Sequence, residues 1–146
     1  MRHLDTGIDQ FDSSRLAYLS SDKINGIDLE FFFIQDGLKS YLVTHSRPIP
    51  SSRDDSHLSQ AVVQTQGKTH TFLIHRLKGG QKLLLTQEMQ ELLLSLLSRD
   101  EPLTLKLEGY QEVIQPGQFK SYLAKMGSLS LIEKMKQRIT IENLSF

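Results

Sequence analysis

The sequence predicts one α+β domain: an antiparallel, hairpin-rich β-sheet, one main amphipathic helix at about residues 86–99, and short helices near the C-terminus. Two pairs of β-rich runs meet at tight turns, Asp36-Gly37 and Gln66-Gly67, which is the pattern of β-hairpins. Between residues 86 and 99, apolar side chains recur at helical spacing. A chain of 146 residues can bury one core of ordinary size without disulfides or a metal.

The first fourteen residues are polar and acidic, so we expect a flexible N-terminal segment at 1–14 and one folded domain at 15–146. Asp5-Thr6-Gly7 resembles the catalytic triplet of retroviral-type aspartic proteases. That resemblance covers six residues, and only four residues precede Asp5, whereas the family places its triplet after a pair of strands. A motif without its structural context is a weak signal, and we do not predict a protease.

Residues 15–20 favour a short strand, and a longer hairpin follows from Ile27 to His45. We take Asp36-Gly37 as its two-residue connection, because the turns that suit hairpins need positive φ angles, which Asp and Gly tolerate. This register places Phe32 opposite Tyr41. The predicted core residues then share one face of the hairpin: Ile27, Leu29, Phe31, Phe33, Leu38 and Leu42.

The reverse face of the same hairpin is also apolar at several positions, whereas a hairpin with one buried face should alternate cleanly. That face needs cover, either from the rest of the chain or from a partner. We predict it as an interaction surface formed by Phe32, Tyr41, Ile34 and Val43. The predicted register also places His45 opposite Asp28, a pair that could orient a base but is a common structural device as well.

A proline-containing loop is expected from Ser46 to His57, followed by a second hairpin that turns at Gln66-Gly67. A basic stretch begins with the second strand of this hairpin. Five residues of the stretch are possible anion ligands: Lys68, His70, Arg76, Lys78 and Lys82. Three of these share strand parity, so an edge hairpin could present them together to phosphate or to an acidic partner. The alternative is a solvated edge, because edge strands commonly carry lysine.

The main helix is predicted from Thr86 as N-cap to Arg99, with Pro102 preventing its continuation. Its apolar stripe comprises Met89, Leu92, Leu93, Leu96 and Leu97. Leu94 lies off this stripe and is a candidate oligomer contact. Further strands are expected at 83–85, 103–108 and 110–115, and short helices at 118–126 and 128–137.

No catalytic motif stands out in the chain. The absence of cysteine excludes disulfides, thiolate metal sites and cysteine nucleophiles. We find no Gly-x-Ser-x-Gly elbow, and we predict no catalytic residue, no metal site and no cofactor. A small enzyme or ligand-binding domain remains an alternative, and its candidate residues are His45, Asp54, Asp55, His57 and His75.

Charge and hydropathy bear on the partners and the location. Seventeen basic and seventeen acidic residues give a net charge of zero, so we do not expect nucleic acid as the main partner. The short apolar runs predict no membrane span. We expect a cytoplasmic protein, or an exported mature domain if a leader precedes this sequence.

The function that these features favour is a non-catalytic interaction or assembly module, adaptor- or chaperone-like. Its partner would be another protein or a second copy in a homodimer. The alternatives are the small enzyme or ligand-binding domain and a weak phosphate or nucleic-acid binder that uses the basic hairpin at residues 68–82.

Overall fold

The structure is a computed structural model that describes residues 8–11 by their backbone and residues 15–34, 37–117, 119 and 121–122 in full. Within these residues the chain forms nine strands and the helix α1. In chain order they are β1 (Ile8–Phe11), β2 (Arg15–Tyr18), β3 (Asp28–Ile34), β4 (Gly37–Val43), β5 (Leu58–Thr65), β6 (Lys68–Arg76), β7 (Lys82–Leu84), α1 (Gln87–Ser98), β8 (Leu103–Leu107) and β9 (Tyr110–Ile114).

The described strands form one antiparallel sheet in the order β1-β2-β3-β4-β7-β6-β5-β8-β9. This confirms the predicted fold class, a single α+β domain with a hairpin-rich sheet. Strand β1, from the N-terminal segment, pairs with β2. No helix among the described residues is both long and apolar enough to cross a membrane.

Some predictions fall on residues outside the described part of the chain. These are the Asp5-Thr6-Gly7 triplet and most of the two predicted C-terminal helices. Of the helix expected at 118–126, the described residues Phe119, Ser121 and Tyr122 are helical.

The hairpin of β3 and β4 has a different register from the predicted one. Gly37 pairs with Ile34 inside the ladder, so the connecting residues are 35 and 36. Phe32 therefore lies opposite Lys39 and not opposite Tyr41. The predicted cross-strand partner of each residue is therefore wrong by two positions. A shift of two leaves every side chain on its predicted face, because strand side chains alternate with period two.

The second hairpin turns as predicted. Its two connecting residues, Gln66 and Gly67, have φ angles of 51° and 76°, the left-handed conformation that such a turn needs. Strand β6, however, lies between β7 and β5. The expectation of an edge hairpin is therefore wrong, because the short strand β7 returns to pair with both β4 and β6.

One face of the sheet carries the core, and α1 packs on it; we call this the inner face. Thr86 caps the helix by accepting a hydrogen bond from the Met89 N–H at 3.3 Å, as predicted. The Ser40 hydroxyl in β4 donates to Gln90 Oε1 at 2.6 Å in a buried contact. Leu94 is 4% exposed, so it packs within the chain and does not offer the oligomer contact that was considered for it.

Candidate functional site

The outer face of the sheet carries the aromatic residues that the sequence singled out. Because α1 contacts the inner face, the side chains of opposite parity in β3 and β4 point away from it. Phe32 and Tyr41 are half-buried there, and Ile34 remains 45% exposed. We call the group formed by Arg15, Glu30, Phe32, Tyr41 and Lys82 the outer patch.

Strand register builds the outer patch from four neighbouring strands. Arg15 in β2 pairs with Phe32 in β3, and Glu30 in β3 pairs with Tyr41 in β4. The Phe32 and Tyr41 rings are diagonal neighbours, with centroids 5.7 Å apart and planes at 78°. This edge-to-face geometry is one that aromatic pairs prefer, so the two rings hold each other in place.

Two cations lie over the rings of the outer patch. Lys82 Nζ in β7 is 4.5 Å from the centroid of Tyr41 and 5.8 Å from that of Phe32. The guanidinium carbon of Arg15 is 5.9 Å from the centroid of Phe32 on the other side. Each distance is within the range of a cation–π attraction, which fixes the cationic ends close to the aromatic pair.

Glu30 connects the same two cations. Its carboxylate lies 2.8 Å from Arg15 Nη2 and 3.8 Å from Lys82 Nζ. The Glu30 side chain is only 12% exposed, and a carboxylate removed from water needs such partners to offset the loss of hydration. The outer patch is therefore a connected unit of two rings, two cations and one acid.

A second polar pair lies beside the outer patch. His45 Nε2 is 2.6 Å from Asp28 Oδ2, and Asp28 Oδ1 accepts the Ser20 backbone N–H at 2.8 Å. The predicted His45–Asp28 pair thus forms, although Val43 is the residue directly opposite Asp28. Ser46, next in the chain, donates its hydroxyl proton to the Ile24 carbonyl. Ser46 therefore does not donate this proton to His45, as a serine nucleophile would donate it to its base.

The other residues of the predicted enzyme site do not gather around His45. Asp55 accepts the backbone N–H of His57 at 2.8 Å in the loop before β5. His75 lies in β6 between Leu58 and Leu84. Among the described residues, no three His, Asp or Glu side chains are placed to hold a metal ion.

The five predicted anion ligands are dispersed. Lys68 and Arg76 begin and end β6, about 26 Å apart at the usual rise of a strand. Arg76 Nε donates to the Ile49 carbonyl at 2.7 Å, and Lys82 belongs to the outer patch. His70 lies in the middle of β6 and Lys78 in the turn after it, so the structure does not bring the five together.

A cleft that the sequence did not indicate lies between the loop before β5 and the turn that joins β8 to β9. It has a volume of about 510 Å³ and mixed charge, with Arg53 and Lys106 against Asp54 and Glu108. These residues come together because β8 pairs with β5, and no local sequence pattern predicts that pairing.

Tyr110 anchors the loop that follows β4. Its hydroxyl accepts the Arg47 backbone N–H at 2.8 Å, and the Arg47 guanidinium carbon is 4.6 Å from its ring centroid. Burial raises the pKa of Tyr110, but hydrogen bonds with Ser46 and Arg47 outweigh it, so the pKa lies below its ordinary value. These contacts hold the loop against β9.

Comparison with protein families, with curated proteins and with solved structures found no match for this chain.

Proposed function

We propose that this protein is a non-catalytic interaction module that binds a protein partner through the outer patch and the adjoining Ile34 and Val43. The observation that carries the proposal is the half-buried pair of Phe32 and Tyr41, held by two cations on the face opposite the helix. Aromatic and arginine side chains dominate the energetics of protein interfaces. A patch of this composition surrounded by polar residues matches the anatomy of an interface core and its rim.

The rigidity of the outer patch also favours binding. Its side chains stand on paired strands and already contact one another, so a partner would not have to order them, and binding would cost less conformational entropy. Four adjacent strands make the patch about 14 Å wide. This width suits a peptide segment or a helix of another protein.

The two alternative functions have less support from the arrangement of their residues. The enzyme or ligand-binding alternative needs His45, Asp54, Asp55, His57 and His75 in one pocket. His45 instead pairs with Asp28, away from the loop that holds Asp55 and His57, and the cleft beside that loop is lined by Asp54 alone of the five. The phosphate or nucleic-acid alternative needs the basic residues of the 68–82 stretch on one surface, and they are spread along β6 and beyond.

Peptide display tests the proposal. A random library of short peptides would be selected on the immobilised wild-type protein after depletion on the double variant Phe32→Ser/Tyr41→Ser. A matched control, Leu73→Ser/Val113→Ser, removes two outer-face apolar side chains that are 49% and 50% exposed and lie outside the patch. We expect selected peptides to bind the wild type and this control but not the depleted variant. Peptides that bind all three proteins equally would contradict the proposal.

A further inference from the structure

We propose that the partner presents an acidic segment to the outer patch and that this partner is a different protein, not a second copy of this chain. The inference rests on the proposed function and specifies the chemistry of the partner. The reason is that the acidic side chains of the outer face are more deeply buried than the basic ones.

The cations of the outer patch lie nearer to solvent than its acid. Lys82 is 44% exposed and Arg15 is 23% exposed, whereas the Glu30 side chain between them is 12% exposed. Lys39, opposite Phe32, is exposed and forms no ion pair with the described residues. A partner that approaches the rings therefore meets positive charge first.

Asp28, the neighbouring acid on this face, is also more deeply buried than the basic side chains beside it. The Asp28 side chain is 3% exposed and lies beneath His45 and Lys23, whose side chains are 35% and 56% exposed. Both carboxylates of β3 on the outer face are thus covered by cationic or basic side chains. The described part of the face offers basic groups around an apolar centre, which complements a segment that combines carboxylates with apolar side chains.

Nucleic acid fits this arrangement less well. Bases bind such surfaces by stacking on open aromatic faces, but Lys82 already lies 4.5 Å from the Tyr41 centroid. The Phe32 ring is flanked by Arg15 and meets Tyr41 edge to face. A carboxylate reaches the exposed ends of Lys39 and Lys82 without displacing either ring.

A second copy fits less well for a different reason. A two-fold dimer through the outer patch would bring the same surface of each copy together. The exposed lysines of one copy, Lys39 and Lys82, would then approach the exposed lysines of the other. Like charges that face each other across an interface disfavour the complex, whereas an acidic segment neutralises them.

Two labelled peptides test the inference on the full chain by fluorescence anisotropy. One peptide alternates glutamate with leucine and phenylalanine, and the other has glutamine in place of each glutamate. We expect the acidic peptide to bind more tightly and to lose affinity as salt is raised, because exposed ion pairs are screened. Lys39→Glu should weaken its binding by about tenfold. Lys68 is also exposed but lies at the turn between β5 and β6, so Lys68→Glu should leave the binding unchanged.

Other results separate the inference from the proposed function. If both peptides bind equally, and only Phe32→Ser/Tyr41→Ser abolishes binding, the acidic partner is wrong and the interaction module stands. If neither peptide binds, the acidic partner is likewise wrong, and the display selection decides the function. Binding of a mixed single-stranded oligonucleotide that Lys39→Glu abolishes would overturn both. A wild-type dimer in sedimentation that Phe32→Ser dissociates would replace the acidic partner with a second copy.

Discussion

The hydroxyl of Tyr18 in β2 donates a hydrogen bond to the carboxylate of Glu112 in β9 at 2.6 Å, across 94 positions of the chain. The same carboxylate accepts the Ile27 backbone N–H at 3.1 Å, and the Gln111 N–H donates to the Asn25 carbonyl at 3.0 Å. These bonds join β9 to the segment between β2 and β3. The sheet therefore curls until its distant parts meet, and α1 lies inside the curve.

Removal of the Glu112 carboxylate should destabilise the fold. Glu112→Ala leaves the Tyr18 hydroxyl and the Ile27 N–H without this acceptor, and we expect a loss of about 1–3 kcal/mol in the free energy of unfolding. Urea denaturation followed by circular dichroism measures it. Glu108→Ala, in the exposed turn before β9, is the control and should change stability by less than about 0.5 kcal/mol. Equal effects at the two positions would contradict this role of Glu112.

The buried contact between Ser40 and Gln90 should show strong coupling. Ser40→Ala removes the donor and leaves the Gln90 amide oxygen unsatisfied in the interior, at a cost of about 1–3 kcal/mol in unfolding free energy. The double variant Ser40→Ala/Gln90→Leu removes both polar groups and should recover part of that loss. A double-mutant cycle from denaturation curves gives the coupling, and strictly additive effects would show that the bond contributes nothing.

A methyl group at Gly26 should strain the turn between β2 and β3. An added Cβ would lie 1.9 Å from Ser20 Oγ, 2.4 Å from the Asp22 carbonyl and 2.6 Å from Glu112 Oε1. Because the Asp22 carbonyl is backbone, this part of the turn would have to move, and we expect Gly26→Ala to cost about 1–3 kcal/mol. Thermal unfolding measures the loss. Ser21→Ala, exposed in the same turn, is the comparison, and an unchanged melting temperature for Gly26→Ala would refute the close packing.

Two adjacent phenylalanines should respond differently to truncation. Phe31 is fully buried, with its ring centroid 5.8 Å from that of Phe119, so Phe31→Ala should cost about 3–5 kcal/mol. Phe32 is half-buried on the outer face, and Phe32→Ala should cost less than about 1.5 kcal/mol. Guanidinium denaturation of both variants compares them. Similar losses would mean that the outer face is part of a core.

The local elements were accessible to sequence reasoning because they depend on neighbouring residues. The turn at Gln66-Gly67 and the helix beginning after Thr86 follow from turn chemistry and from helical periodicity. The predicted hairpin connection is one residue too late, because Asp36-Gly37 has the composition of a turn while Gly37 extends the ladder opposite Ile34. Local composition does not report how far a ladder continues.

The outer patch could be predicted from the sequence only in part. Phe32 and Tyr41 were expected on one face, and they lie on one face. Glu30 also lies on that face by the predicted alternation, but Arg15 and Lys82 were not associated with the rings, since Lys82 was grouped with the basic stretch of β6. It reaches the rings because β7 pairs with β4, and no pattern within β7 specifies that neighbour.

The sequence by itself determined the fold class, the second hairpin and the face on which each residue of β3 and β4 lies, because period-two alternation and helical periodicity are local properties. Only the tertiary structure decided the strand order, the curling that brings Glu112 to Tyr18, and the depth at which each charge of the outer face lies. Those features depend on contacts between residues far apart in the chain, whose energies are small and become decisive only when the whole sheet is assembled.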